Sequence, residues 1–379
     1  MKKPLIVFCP WGDVNRTNTL SGMPYYLIGF LRIKYELVII DYVNIDSFKL
    51  NTVTRLIAKI LNHTSKLITR LSQKKYFQFG GVQVSYNYLL GKKLERISKK
   101  YPNTPILTFG TDATRFYKGT SPVFQFIDGI YTYKIDYYII RNKLTRWEKY
   151  NIRRSDIDGI NHSAVILCTS EIIKQNIAAF VRENNVHTET KIRNIGTGSN
   201  LPEVLAYNPP LNKDSIHICF IYSDFQRKGG DVVLNIAKLT ECKNYQFHFI
   251  GKIPVIETAR YKNVVFHGFI DKKNNLDIYL NLLKRCSINI MPTRGDLTPH
   301  IICECNAYGI PTIANNIGGI KDLIGEGGIL IEGVNEQDYI NAIKTLSSTL
   351  DIRSKRSFEK YSHEQKWSIV AEKIGNEIG

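Results

Sequence analysis

The stretch GTGSNLPEVLAYNPPLNKDS, residues 196–215, divides the chain into two halves that repeat one pattern. Its Gly, Asn and Pro content marks a linker. Before it, short β-branched and aromatic runs alternate with longer amphipathic segments. Leu5–Cys9, Leu37–Asp41, Ile106–Phe109, Tyr137–Ile140 and Val165–Cys168 read as strands. After it the alternation restarts, with strands expected at Ile216–Ile221, Tyr245–Ile250, Val264–Phe266, Ser287–Met291, Pro311–Ala314 and Gly328–Ile331. Helical segments lie between them at Asp231–Leu239, Asn275–Lys284 and Ile301–Tyr308. Continuous apolar runs of this kind suit parallel strands covered on both faces. The fold class is therefore α/β, with two Rossmann-like domains whose parallel sheets face each other across a cleft.

Bulk properties agree. A chain of 379 residues is long enough for two cores, and 43% hydrophobic with 22% charged residues is ordinary for globular domains. The seven cysteines are odd in number and scattered, which fits buried thiols in a reducing compartment better than a disulfide framework. Only Cys303 and Cys305 are close, and one C-x-C pair is a poor zinc site. The opening MKKPLIVFCPWG has too short an apolar run for a signal peptide and reads as a first buried strand. No stretch reaches the roughly 18 apolar residues of a membrane span.

The net charge of +17 is unevenly placed. Residues 1–195 hold 30 Lys and Arg against 14 Asp and Glu, a balance of +16, while the remainder holds 21 against 20, a balance of +1. The N-terminal half thus faces something acidic: anionic lipid headgroups, a lipid diphosphate or nucleic acid. Between Lys49 and Phe79 the apolar residues Val53, Leu56, Ile57, Ile60, Leu61, Leu67, Ile68 and Leu71 follow three- and four-residue steps. Arg55, Lys59, Lys66 and Arg70 take the other side, and no acid occurs between Asp46 and Glu95. This predicts a basic amphipathic helix over about 50–75, suited to an anionic membrane surface or, more plainly, packed on its own sheet with a solvated basic face. It lacks the interleaved aromatics of a nucleic-acid binder.

The densest chemical signal is MPTRGDLTPHIICECNAYGIPTIANNIGGI, residues 291–320. It runs from a strand end through a loop into a helix opening near Pro299, whose free N–H groups favour an anionic or oxygen-rich ligand. Asp296 and Glu304 bracket that turn, one in the loop and one a turn into the helix. Upstream, CFIYSDFQRKGGDVVLNIAKL, residues 219–239, passes from a strand through Arg227, Lys228 and two glycines into a helix. A lysine before glycines at a helix start can hold a diphosphate.

Together these stretches resemble the donor-binding signature of retaining GT-B glycosyltransferases, specifically family 4. That family has two acids separated by seven residues, then a helix with small residues, then G-x-P and a Gly-Gly turn. Asp296 stands where the family usually has Glu, and Thr298-Pro299 replaces an aromatic-Gly pair. The resemblance implies that Asp296 contacts hydroxyls of the transferred sugar, Glu304 the nucleotide ribose, and Lys228 the donor pyrophosphate. Tyr222 stands at the position of a frequent family arginine, for which Arg227 is the nearest substitute. Weaker matches extend the resemblance along the chain. Ser21-Gly22 follows the first strand where the family has a phosphate-abutting loop, and His267-Gly268 ends the strand that brackets the base through its backbone. Thr111-Asp112 occupies the position of a histidine near the reacting sugar, although Asp-Ala-Thr after a strand is also an ordinary helix cap. Trp367 resembles the start of the family's terminal helix.

The implied domains are an acceptor-binding 1–195, a nucleotide-sugar-binding 196–360 and a helix 361–379 crossing back to the first. The implied catalytic set is Asp112, Asp296 and Lys228. The implied donor-binding set is Ser21, Gly22, Arg227, Lys228, His267, Gly268, Asp296, Leu297, Thr298, His300, Ile301 and Glu304. The expected activity is retaining transfer of a sugar from a nucleoside-diphosphate donor to a glycan or lipid-linked acceptor. It is expected without metal or other cofactor, in the cytoplasm and peripherally on the inner membrane face. A sugar-nucleotide epimerase on the same fold, a catalytically silent subunit and a basic nucleic-acid-binding protein are the alternatives.

Overall fold

Most strands form where β-branched and aromatic residues are continuous enough to be buried on both faces, and among the described residues every strand pair is parallel. The computed structural model describes residues 2–17, 19–41, 81–111, 114–137, 144–186, 189–207, 215–241 and 244–379. The basic segment expected over 50–75 and Asp112 lie outside the described residues. Contacts divide the chain into two units, Met1–Ile195 with Ala371–Gly379, and Gly196–Val370.

In the N-terminal unit, β1 (Lys3–Cys9), β2 (Tyr35–Asp41), β3 (Ile106–Thr108), β4 (Val123–Ile127), β5 (Val165–Cys168) and β6 (Lys191–Asn194) form one sheet in the order β2-β1-β3-β4-β5-β6. Ile6, Phe8, Ile40, Leu94, Ile97 and Ile106 pack its core on one face. Residues 371–379 belong here through Tyr35, whose hydroxyl donates to the Gly375 carbonyl at 3.3 Å, and an ion pair between Arg193 and Glu377 at 3.4 Å.

Of the strand expected at Tyr137–Ile140, residues 138–140 lie outside the described residues and Tyr137 ends a helix, Tyr131–Tyr137; the fourth strand is Val123–Ile127, which was not foreseen and is buried throughout. Gln125 in its middle hides it from a search for unbroken apolar runs. That side chain is tolerated because its amide donates to Thr114 Oγ1 at 2.6 Å and to the Gly159 carbonyl at 3.1 Å. Strand β6, KIRN, was also not foreseen; it is a largely exposed edge strand with no apolar run to betray it.

In the C-terminal unit, β7 (Ile216–Ile221), β8 (Tyr245–Ile250), β9 (Val264–Gly268), β10 (Ile288–Met291), β11 (Thr312–Asn315) and β12 (Ile329–Ile331) order as β12-β11-β10-β7-β8-β9. Counted within the unit this is 3-2-1-4-5-6, the doubly wound order. Phe220, Phe247, Phe249, Ile288, Ile290 and Ile313 form its core with Val233 and Ile236 of the helix Gly230–Leu239. The chain leaves β7 toward β8 on one side and leaves β10 toward β11 on the other. The loops at the carboxyl ends of these two neighbouring strands therefore diverge, and a crevice opens between them.

Candidate functional site

Both densest sequence signals fall at that switch point. The loop after β7 carries Arg227-Lys228-Gly229, and the loop after β10 carries Asp296 before the helix His300–Ala307. Gly229 makes the approach possible. It sits at φ 81°, and a Cβ there would stand 2.0 Å from the Pro292 carbonyl oxygen, so only glycine lets the two loops touch. Gly318 does the same from the other side: at φ 54°, its missing Cβ would lie 2.2 Å from the Asp296 carbonyl, and Gly319 N–H donates to the Leu297 carbonyl at 2.8 Å.

The result is a compact, charged cluster with Lys228 and Asp296 buried at its centre. Lys228 Nζ donates to Asp296 Oδ2, with both residues under 10% exposed. Arg227 Nη1 lies 3.8 Å from the same Oδ2 and donates to the Gly295 carbonyl. Arg294, which sequence reasoning passed over, ties the loops together. Its guanidinium makes a two-pronged pair with Asp231 at 2.7 Å and donates to the Gln226 carbonyl at 2.6 Å, while its own N–H donates to the Arg227 carbonyl at 2.7 Å. Hydrogen bonds from Arg294 pull the Asp231 carboxyl below its ordinary range. The clue in sequence was its place two residues before Asp296, but a surface arginine in a loop is common.

Glu304 lies inside the first helical turns, 2% exposed. Its Oε1 accepts from Lys272 at 2.5 Å and its Oε2 from the Tyr279 hydroxyl at 2.6 Å. Burial, and then the neighbouring Glu304 charge, push the Tyr279 hydroxyl well above its ordinary pKa, so it stays a donor. Neither partner was foreseen. Lys272 lies 32 residues from Glu304 with no local signal, and Tyr279 reads as one more apolar position at helical spacing.

The other expected residues are placed as follows. Leu297 is buried in the unit, Thr298 is buried beside it, and Ile301 is half-buried in the helix. His300 Nδ1 stands 3.2 Å from the Gly198 carbonyl, with Trp367 packed nearby, which fixes its ring toward the linker side. His267 turns its ring into a hydrogen-bonded file crossing three strands. Ser215 Oγ meets His217 Nε2 at 2.8 Å, His217 Nδ1 meets His248 Nε2 at 2.8 Å, and His248 Nδ1 meets His267 Nε2 at 2.9 Å. Burial, then the neighbouring imidazoles and Arg285, lower His248 to about 4, so the file is neutral. That leaves backbone as what His267-Gly268 can offer a ligand. Tyr222 is core: its hydroxyl donates to the Lys252 carbonyl at 3.0 Å, and its ring stacks on Phe220. Ser21 and Gly22 belong to the other unit, just before the helix Met23–Lys34.

Comparisons with known proteins bear on the fold and on the C-terminal unit. Residues 216–349 match the family model described as glycosyl transferases group 1. An uncharacterized 41.2 kDa protein in the cps region of Klebsiella pneumoniae is 31% identical over 144 residues, covering 36% of this chain and 38% of that protein. An uncharacterized glycosyltransferase of Methanocaldococcus jannaschii is 24% identical over 215 residues, covering 54% and 57%. The matched regions thus span about half or less of these curated relatives. Among solved structures, sucrose-phosphate synthase from Thermosynechococcus elongatus superposes with a TM-score of 0.66 at 13% identity, covering 99% of this chain and 98% of that one. The fold is that of the GT-B glycosyltransferases, and the similarity to glycosyl transferases group 1 lies within the C-terminal unit. Among the described residues no helix is long and apolar enough to cross a membrane.

Proposed function

We propose that this protein is a retaining glycosyltransferase that moves a sugar from a nucleoside-diphosphate donor to an acceptor hydroxyl. The observation that carries the reading is Lys228 and Asp296 meeting at the topological switch point, with Arg227 beside them. A diphosphate seated there would have its leaving-group charge met by Lys228, by Arg227 and by the open start of the helix Gly230–Leu239, whose N-cap is the left-handed Gly229 and not a side-chain cap. Side-chain cations then do the work that a resident divalent metal does in other transferases. Glu304, anchored by Tyr279, is set to accept from the ribose diol, and Asp296 from hydroxyls of the sugar.

Retention follows from attack on the same face as the departing phosphate, whose oxygen takes the acceptor proton. No protein nucleophile is needed, and positioning with preorganised charge supplies the rate. The acceptor is proposed to be a glycan or a lipid-linked sugar handled by the N-terminal unit on the cytoplasmic membrane face. The +16 balance of residues 1–195 and the relative from a cps region support that placement over a nucleic-acid partner.

Thermal-shift screening against UDP-, GDP-, ADP-, CMP- and dTDP-sugars tests the donor class. A donor at about a hundred times its Kd should stabilise the native state by roughly 2.7 kcal/mol. A protein unmoved by every nucleotide sugar would overturn the reading, and an inverted anomeric product by NMR would overturn retention alone. For the membrane, wild type should bind anionic but not neutral vesicles and be released by salt. Replacing Arg55, Lys59, Lys66 and Arg70 with Gln should reduce that binding.

A further inference from the structure

The two acids of the site are held in different ways. Glu304 has a neutral anchor, Tyr279, on one oxygen and a cation, Lys272, on the other. It keeps its position whichever partner a ligand replaces. The Asp296 carboxylate instead contacts cations: Lys228 directly and Arg227 at 3.8 Å, both from the loop after β7. These are the groups that the proposed donor site assigns to the diphosphate. The pair is buried, where like and opposite charges interact far more strongly than in water. An anion cannot reach Lys228 without meeting the Asp296 charge.

We infer that Asp296 is an internal stand-in for the diphosphate, occupying Lys228 until a diphosphate takes its place. This deepens the proposed donor reading and rests on it. Two consequences follow from one exchange of partners. The pairing keeps Lys228 neutralised where it is buried and a lone ammonium would be costly. The carboxylate that meets sugar hydroxyls is unmasked only after the diphosphate has bound, so sugar recognition waits on the nucleotide part of the donor. The carboxylate also opposes every anion that enters, which weakens the hold on the nucleoside-diphosphate product and aids its departure.

The inference makes an unusual demand: neutralising a site residue must tighten binding. Calorimetric titration of wild type, Asp296→Asn and Asp296→Asn/Lys228→Gln with inorganic pyrophosphate and with UDP, GDP, ADP and dTDP is the test. Asp296→Asn should bind pyrophosphate and the preferred nucleoside diphosphate about tenfold or more tightly than wild type. The double variant should lose that gain. Asp296→Ser carries the same comparison if Asp296→Asn does not fold. An unchanged or weaker affinity in the neutral variant, with wild type binding one of these diphosphates, overturns the inference and leaves the donor reading standing. Failure of wild type and both neutral variants to bind any of the diphosphates overturns both.

Discussion

Each sheet has its own switch point, and the two are built from different materials. In the C-terminal unit the loops after β7 and β10 are joined by charge: Lys228 with Asp296, and Arg294 with Asp231. In the N-terminal unit the switch lies between β1 and β3, and the loops there are held by shape and by one deeply buried carboxylate. After β1, Leu20, Ser21 and Gly22 run consecutively through left-handed φ of 45°, 59° and 88° before the helix Met23–Lys34 begins. After β3, Thr111 Oγ1 donates to Asp156 Oδ1 at 2.7 Å. Asp156 also accepts from Tyr131 N–H, Thr132 N–H and the Thr132 hydroxyl. None of those four donors is a cation. The difference is one of exchangeability. Charge pairs can trade partners with an incoming anion, whereas a carboxylate saturated by backbone and hydroxyl donors cannot move without leaving them unsatisfied.

That contrast predicts that substitutions in the C-terminal crevice change ligand chemistry and those in the N-terminal one change stability. The largest effect is expected at Lys228. Lys228→Ala should lower turnover on the order of a hundredfold, or about 3 kcal/mol, in a protein that still folds but is less stable, because the buried Asp296 charge keeps only Arg227 at 3.8 Å. Turnover close to wild type would remove the charged half of the comparison. Next, Asp156→Asn should cost about 3 kcal/mol of stability, because an amide presents a donor to backbone N–H groups that need an acceptor. A chemical-denaturation midpoint equal to wild type would show that the buried carboxylate is dispensable.

A third effect comes from the neutral histidine file of the C-terminal sheet. His248 is depressed to about 4 in the folded protein against 6.5 when free, and His217 and His267 are lowered with it, chiefly by burial. The unfolded chain therefore binds more protons between those values, and stability is lost as pH falls from 6.5 toward 4. At pH 5 the His248 contribution is about 2 kcal/mol. Measured from pH 7 to 4.5, the slope should flatten in His248→Leu; an unaltered slope would place the acid sensitivity elsewhere. The smallest effect tests backbone shape. Ser21→Val should cost about 1 kcal/mol, since a β-branched residue resists the left-handed region, whereas Ser21→Gly should be neutral or slightly stabilising. Equal melting temperatures for the two would mean that the left-handed run carries no strain.

The α/β class and the repeated parallel pattern were legible in the chain because most of the buried strands are built largely from contiguous apolar residues. Asp296, Glu304 and Lys228 were legible as candidates because the glycines and helix start that position them lie within a few residues of them. Strand Val123–Ile127 was not legible, since Gln125 is made tolerable by Thr114 and by Gly159, 34 residues away. For the same reason Lys272 and Tyr279 could not be read as partners of Glu304, nor Arg294 as the tie to Asp231. Those pairings join residues from 25 to 63 positions apart: the packing of β7 beside β10 brings Arg294 to Asp231, and the packing of the helix Leu276–Arg285 against His300–Ala307 brings Tyr279 to Glu304. Sequence determined which chemical groups were available and the local turns that carry them. Tertiary structure alone decided which charge faces which, because the energy of a buried ion depends on what lies within a few ångströms of it and not on what lies beside it in the chain.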